Sequence, residues 1–398
     1  MAAGLKKIGG FMVGLGLTTS LMGLVPSEAL AGPREQAAQL FSRINTVPPS
    51  AATLDALAAK ITAGDARGAA MDAINDPAGM FYNLTLKDAV SRWTTKDGSP
   101  RIELNDYTTT VIGMVRDDVP FNTALSADLV YIADVAKAPG VPAYSLANNA
   151  HFQFLDKAAA SLKDVLIQVK QSSGTAALPV DATAGLMTTR GFAEGFIKAG
   201  TNRAAAAFTF ATFLCHDMNK LADTTRPDFH VRRDVTRVPG GDSAVFRNKC
   251  AGCHAGMDAL AGAFAYYDVI EGKTADTDVL AYTAGTVVTK MNHNSDQFPD
   301  GYVTTDDSWV NNWLIGQNAA IGWKGAASGN GAKAFGTMLT ATDAFPTCMA
   351  QRAVATMCLH QPTTNAELAA VTKIAASFAK DFNLKNAYAD AAVACSTP

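Results

Sequence analysis

Charged residues are scarce in this 398-residue chain, where Asp, Glu, Lys and Arg make up only 17% of the sequence. The 33 basic and 36 acidic side chains give a net charge of −3, which provides no electrostatic basis for binding nucleic acid or an anionic membrane surface. Cysteine is absent before Cys215, which argues against a lipoprotein anchor. Hydrophobic residues nevertheless reach 48%, so the composition indicates a well-packed globular protein rather than a disordered one.

Long apolar runs are also missing after the first segment of the chain. The next longest, 204–215, is too short to span a bilayer, so we expect no membrane insertion. The first segment has Lys6 and Lys7, then an apolar run and a small-residue cleavage signal that ends at Ala31. This order is typical of a secretory signal peptide over residues 1–31. We therefore expect a periplasmic or extracellular protein.

Alanine-rich segments with apolar residues three and four apart dominate the sequence and predict a mainly α-helical fold. The segment 306–316 also has an acidic start and two tryptophans at helical spacing, which favour a capped helix. Weakly periodic stretches at 138–146 and 171–184 predict loops, and 224–242 predicts a long connection. The other predicted helices cover 34–45, 53–61, 65–74, 81–93, 104–116, 185–200, 201–221, 346–360, 364–382 and 384–396.

The sharpest motif is Cys250-Ala251-Gly252-Cys253-His254. In a helix, positions i, i+3 and i+4 lie on one face, so both thiols and the imidazole would point the same way. Two thiols can then form thioethers with the vinyl groups of one haem while the adjacent imidazole binds its iron. The motif predicts one covalent haem c, held by Cys250 and Cys253, with His254 as the proximal ligand.

Three other chemistries compete for this motif. A structural zinc site needs two further ligands at typical spacing, and the sequence has no second CxxC and no HxxxH. A thioredoxin-like CxxC belongs to a βαβ setting, whereas this context is helical and rich in alanine. A plain disulfide between Cys250 and Cys253 remains open.

The segment CAGCHAGMDALAGAFAYYDVIEG, residues 250–272, resembles the CxxCH domain of the planctomycete-cytochrome-associated family. Segments 114–132, 185–196 and 348–393 are similar to other parts of that family, in the same order. The chain differs at 258–262, where DALAG stands in place of the family's Asp-Pro-x-Gly. The resemblance implies an exported monohaem protein and says little about a substrate.

Together these patterns predict a cytochrome c-like organisation. The four parts are a signal peptide (1–31), a helical N-terminal region (32–183), a haem-bearing cytochrome c-like region (184–342) and a C-terminal helical subdomain (343–398). The boundary after 183 is weakly marked by composition.

The sixth iron ligand has several candidates among the methionines and histidines. Met291 and His293 lie in a polar segment about forty residues past the motif, where a distal ligand often originates, and we rank this pair ahead of His230 and Met257. Met257 follows His254 on the same predicted helix and so belongs to the proximal side. A methionine ligand would raise the reduction potential, whereas a vacant position would permit small-ligand or peroxide chemistry.

Arginines and aromatic residues near the motif have two interpretations each. Arg232 and Arg233 are candidates to pair with the haem propionates, because guanidinium binds carboxylate in a bidentate manner. The alternative is a solvated loop with local acidic partners. Four aromatic residues either line the haem or pack in the core: Tyr302, Trp309, Trp313 and Trp323.

Four cysteines remain after the motif, and an even number in an exported chain indicates two disulfides. Three pairings are possible. We favour Cys358–Cys395, which would join the last helices, and Cys215–Cys348, which would tie the segment before the haem motif to the tail.

These sequence patterns support three hypotheses about function. The leading hypothesis is electron transfer by an exported monohaem cytochrome between redox partner proteins. An alternative is a haem-dependent oxidoreductase with a bound substrate, because the chain is much larger than the ~100 residues of one small domain. A third is a surface binding protein in which haem is structural. Oligomeric state is left open by the sequence.

Overall fold

A computed structural model of the protein describes residues 32–99, 102–174, 176–274 and 277–396. These ranges contain sixteen α-helices and three two-stranded sheets, so the prediction of a mainly α-helical protein is confirmed. The predicted signal peptide, residues 1–31, lies outside them. Within the same ranges, no helix has both the length and the apolar composition needed to cross a bilayer.

The first ten helices occur where the sequence pattern predicts helix, apart from α6 and α7. They are α1 (Pro33–Asn45), α2 (Ala51–Thr62), α3 (Ala66–Asn75), α4 (Leu86–Ser91), α5 (Asp106–Arg116), α6 (Ala150–Lys157), α7 (Leu162–Val165), α8 (Arg190–Phe196), α9 (Arg203–Phe213) and α10 (Met218–Leu221). Polar caps set several starts, as at α2, where the Ser50 hydroxyl accepts a hydrogen bond from the Thr53 N–H. The antiparallel pair of β1 (Val130–Ala133) and β2 (Leu166–Val169) packs on α5.

The second half of the chain mixes helices with two short hairpins. Its elements are α11 (Ser243–Val245), α12 (Ala251–Ala261), β3 (Tyr267–Ile270), β4 (Val279–Tyr282), β5 (Ser308–Val310), β6 (Ser328–Asn330), α13 (Gly331–Thr340), α14 (Ala344–Cys358), α15 (Asn365–Asp381) and α16 (Leu384–Ser396). The three predicted tail helices are confirmed as α14, α15 and α16. β3 pairs antiparallel with β4, and β5 pairs antiparallel with β6.

The helix predicted at 306–316 is wrong, because this segment contains β5 and a turn. The Asp306 carboxylate accepts a hydrogen bond from the Ser308 N–H, and the Asn311 amide oxygen accepts one from the Trp313 N–H, both at 2.9 Å. Such local side-chain contacts satisfy the backbone without a helix. The spacing of Trp309 and Trp313 therefore indicated burial correctly but the element type incorrectly.

One continuous apolar core extends from Ala37 on α1 to Ala392 on α16. The helices α14, α15 and α16 pack on one another, and α16 also packs on α1 and α3. The last part of the chain thus buries apolar surface against the first part, and the segment with the CxxCH motif lies between them in sequence.

Both favoured disulfides are present. Cys215, just after α9, pairs with Cys348 on α14, and their Cα atoms are 5.3 Å apart. Cys358 at the end of α14 pairs with Cys395 on α16, with a Cα separation of 5.1 Å. The tail is therefore covalently joined to the segment that precedes the CxxCH motif.

Candidate haem site

The CxxCH motif lies on a continuous helical segment whose start is set by Asp242. The Asp242 side chain caps this segment, because it accepts a hydrogen bond from the Ala244 N–H at 2.8 Å. From α11 the chain passes through a π-helical turn, Phe246–Cys250, directly into α12. The motif spans this junction, and π-helical turns are frequent at functional sites.

Gly252 and Gly256 allow one face of α12 to pack closely against the core. The Gly252 carbonyl accepts a hydrogen bond from the Asp223 N–H at 3.0 Å. The Trp313 indole lies so close to Gly256 that an added Cβ would be 2.1 Å from its ring. The face that carries the motif is only partly buried and presents Cys250, Cys253, His254 and Met257.

The two motif cysteines are free thiols, whereas the other four cysteines form disulfides. The Cys253 thiol contacts the Met218 carbonyl oxygen of α10 at 3.3 Å. Burial raises the pKa of the Cys253 thiol, which disfavours the thiolate that redox and zinc chemistry require. Both thiols are unpaired and partly exposed.

His254 is held by a carboxylate one helical turn away. Its Nδ1 lies 3.0 Å from Oδ1 of Asp258, and the imidazole is 21% exposed while the carboxylate is 0% exposed. This contact places the proton on Nδ1 and leaves Nε2 as the electron-pair donor. Histidines that bind metals usually donate their other ring N–H in this way.

Asp258 in turn belongs to a buried ion-pair network. Arg203 at the start of α9 donates to both Asp258 oxygens, at 2.5 and 2.8 Å, and to both Asp234 oxygens, at 2.5 and 2.8 Å. Burial acts to raise the pKa of Asp258, but the hydrogen bonds and positive charge of Arg203, together with His254 and Arg232, outweigh it and hold that pKa well below its ordinary value. The carboxylate beside His254 is therefore ionised.

Arg232, predicted as a propionate partner, is 1% exposed and joins the same network. Its backbone N–H donates to Asp258 at 3.1 Å, and its guanidinium donates to the Thr201 carbonyl at 2.8 Å. The guanidinium also contacts the Met291 sulfur. Burial lowers the pKa of Arg232 to about 10, with a further contribution from Arg203.

The remaining predicted residues are spread around the motif. Arg233 donates to the Gly301 carbonyl at 3.2 Å, and His293 is exposed. His230 is half-buried, its ring centroid is 4.6 Å from that of Tyr302, and both line a small cavity that reaches Asp258. Neither the distal ligand nor a propionate contact is defined by these positions.

The tryptophans near the motif belong mainly to the apolar core. Trp309 and Trp313 are buried, and Trp313 meets Phe210 edge-on with a centroid distance of 5.4 Å. Trp323 is partly exposed and also contacts Phe210. Trp313 also touches α12 through the close approach at Gly256.

Across the part of the chain that the structure describes, no three His, Cys, Asp or Glu side chains are grouped so that they could hold a metal ion.

Comparisons of the chain with protein-family models, with curated proteins and with solved structures found no significant match.

Sequence reasoning missed three residues of the network. Asp258 had a usable signal, since it stands four residues after His254 and so shares a helix face with it. Arg203 and Asp234 had none, because they reach the site from α9 and from the long connection, 51 and 20 residues before His254. Only the tertiary fold places their side chains together.

Proposed function

We propose that this protein is an exported c-type cytochrome with one haem, which transfers single electrons between redox partner proteins. The observation that carries the proposal is the pairing of His254 with buried Asp258. It leaves Nε2 free on the partly exposed face that also bears two unpaired thiols. That combination is what covalent haem attachment with histidine ligation requires.

The residues present fit such a group. Cys250 and Cys253 would hold it through thioethers, and His254 would bind its iron from the proximal side. When bound, haem supplies a one-electron couple between ferric and ferrous iron. The chain contributes a rigid attachment helix, because Gly252 and Gly256 fix α12 against the core. It also contributes an ordered buried carboxylate behind the ligand.

Export is supported by the two disulfides, Cys215–Cys348 and Cys358–Cys395. Disulfides persist in oxidising compartments such as the periplasm and are rare in the cytosol. The same compartments are where c-type haem is attached in bacteria, so both features favour one location.

The direct test is covalent attachment. The full chain is produced in cells with cytochrome c maturation, and haem is detected on a denaturing gel after acid–acetone extraction. We expect wild-type staining to survive and Cys253→Ala to weaken it. A Cys358→Ala/Cys395→Ala double variant is the matched control, because it removes cysteines away from the motif. Free extraction of wild-type haem would overturn the proposal.

A second candidate is a haem-dependent oxidoreductase, and an open cleft favours it. The cleft has a volume of about 380 Å³ and lies beside α8 and the start of α5. On its walls Arg190 pairs with Glu194 at 3.2 Å, and among the described residues Thr95 Oγ1 is buried there without a hydrogen-bond partner. Burial raises the pKa of Glu194. The paired charges of Arg190 and Glu194 on its wall would orient a small bound molecule.

Carbon monoxide distinguishes the two candidates. A six-coordinate, low-spin haem that does not bind carbon monoxide supports electron transfer. A high-spin haem that binds it supports the oxidoreductase. Optical spectra of oxidised and reduced protein, with and without the gas, give the answer in one experiment.

A further inference from the structure

Asp258 receives hydrogen bonds from three separate parts of the chain. These are the His254 imidazole at 3.0 Å, two guanidinium nitrogens of Arg203 at 2.5 and 2.8 Å, and the Arg232 backbone N–H at 3.1 Å. A carboxylate held in this way cannot turn about its own axis without breaking several bonds. It presents one fixed oxygen to the ring of His254.

We infer that Asp258 is a positioning residue that fixes the orientation of the His254 ring and lowers the reduction potential of the bound iron. The inference rests on the proposed haem function. A carboxylate that accepts the Nδ1–H makes Nε2 a more basic ligand. A more basic ligand stabilises the ferric state relative to the ferrous state, and second-shell hydrogen bonding is one of the ways a protein sets haem potential.

The rigidity of Asp258 comes from Arg203. The planar guanidinium matches a carboxylate with two parallel bonds, which adds geometric specificity as well as strength. Arg203 is itself fixed on its other edge, where Asp234 accepts two more bonds at 2.5 and 2.8 Å. The Asp234 side chain is 1% exposed, so this second pair is as enclosed as the first. The order of contacts runs from Asp234 through Arg203 and Asp258 to His254.

Asp234, which belongs to the same ion-pair network, provides a control for the substitution of Asp258. Arg203 and Arg232 carry two positive charges, and Asp234 and Asp258 carry two negative ones. Replacing either aspartate with asparagine removes one negative charge from the same buried group. Only Asp258 touches His254, whereas Asp234 contacts Arg203 and lies 3.9 Å from the Arg232 Nε. A difference between the two variants therefore reports the contact with the imidazole rather than the lost charge.

The experiment measures the midpoint potential of the full-length, haem-loaded protein by spectroelectrochemical titration. We expect Asp258→Asn to shift the equilibrium between ferric and ferrous iron at least tenfold toward the ferrous form, which is a rise of about 59 mV for one electron. Asp234→Asn should raise the potential clearly less. Equal shifts in the two variants, or no shift in Asp258→Asn, would overturn the inference.

Haem staining of the same samples separates this inference from the proposed function. If wild-type protein carries no covalent haem, the proposed function fails. If haem is attached and the potentials are equal, only the role of Asp258 fails.

A third variant covers the case in which Asp258→Asn does not fold. Arg203→Lys keeps the positive charge but replaces a two-pronged contact with a single one. The loosened carboxylate should allow more than one orientation of the His254 ring, and therefore a second set of haem-methyl signals in the proton NMR spectrum. A single set, identical in number to that of the wild-type protein, would contradict the positioning role.

Discussion

The guanidinium group of Arg232 lies against the sulfur atom of Met291 inside the protein, where Arg232 is 1% exposed and Met291 is 0% exposed. Because the Arg232 backbone also bonds to Asp258, this contact places Met291 next to the network behind His254. If haem is attached as proposed, a sixth ligand would approach the iron from the side opposite His254. As placed, Met291 would have to leave Arg232 before it could bind iron.

The first prediction concerns the sixth ligand. We expect His293→Ala to shift the haem spectrum toward high spin, because the His293 side chain is exposed, whereas the Met291 sulfur lies against Arg232. Met291→Ala is the matched variant from the same loop. Loss of a sulfur-to-iron band in the red region in Met291→Ala would instead identify methionine. If neither spectrum changes, the ligand lies elsewhere or the position is vacant, and the oxidoreductase candidate gains.

The second prediction concerns the packing of α12. Gly256→Ala should destabilise the protein by about 2 kcal/mol, because the new methyl group would overlap the buried Trp313 ring. Gly252→Ala is the control on the same helix, since its nearest contact would be 3.2 Å, at the Asp223 nitrogen. We expect that variant to stay within about 1 kcal/mol of wild type, because alanine also improves helix propensity. Urea unfolding monitored by circular dichroism measures both, and equal losses would contradict the packing argument.

The third prediction is a pH dependence of stability that arises at His151. Burial lowers the pKa of His151, whose Nε2 accepts the Ala133 N–H at 2.9 Å and whose Nδ1 lies 2.7 Å from the Pro142 carbonyl. The unfolded chain takes up this proton more readily than the folded one. Stability is therefore complete above the unfolded value of ~6.5 and falls as the pH drops from there through the lower folded pKa.

His151→Gln tests this dependence, since glutamine retains a donor and an acceptor but does not titrate. We expect the loss of unfolding free energy between pH 7 and pH 5 to shrink by on the order of 1 kcal/mol relative to wild type. The exposed His360 provides the control as His360→Gln. An unchanged pH profile in His151→Gln would show that the buried imidazole is not the source.

The fourth prediction compares the two disulfides. Cross-links that close longer loops remove more entropy from the unfolded chain. Cys215–Cys348 closes a separation of 133 residues and Cys358–Cys395 one of 37. Replacing the first pair with alanines should therefore cost on the order of 4 kcal/mol, and about 1 kcal/mol more than replacing the second. Denaturant unfolding of both double variants checks the order, and a reversed order would count against it.

Local patterns predicted much of this fold. Periodicity located α1, α2 and α3 and the three tail helices, because each buries a single apolar stripe. The Asp242 cap and the disulfide pairs were also predictable, since each depends on few residues. The pattern at 306–316 wrongly predicted a helix, because two buried tryptophans four residues apart are compatible with a helix and also with a strand followed by a turn. The short hairpins were missed for a similar reason, since four-residue strands carry little periodic signal.

The residues of the candidate site also fall into two groups: those that local spacing predicts and those that only the tertiary fold brings together. The order of Cys250, Cys253 and His254 is local and could be read directly from the sequence. The partners that hold His254 come from distant segments, and no spacing rule connects Arg203 with Asp258. Arg232 is the clearest example of a residue whose environment the sequence did not predict. The sequence suggested either a propionate partner or a solvated loop, whereas the fold buries Arg232, and burial depends on contacts that a linear pattern does not contain.

The disulfide between Cys215 and Cys348 encloses the CxxCH motif within a covalent ring, because Cys250 and Cys253 lie between its two ends in sequence. During synthesis Cys215 emerges first, and the two motif thiols follow it long before Cys348 does. In an oxidising compartment Cys250 and Cys253 could therefore form a non-native disulfide with Cys215. Haem attachment would withdraw both of them from thiol exchange and leave Cys215 unpaired until its native partner arrives. If the chain carries haem as proposed, the timing of its attachment relative to disulfide formation would bear on whether Cys215 finds Cys348.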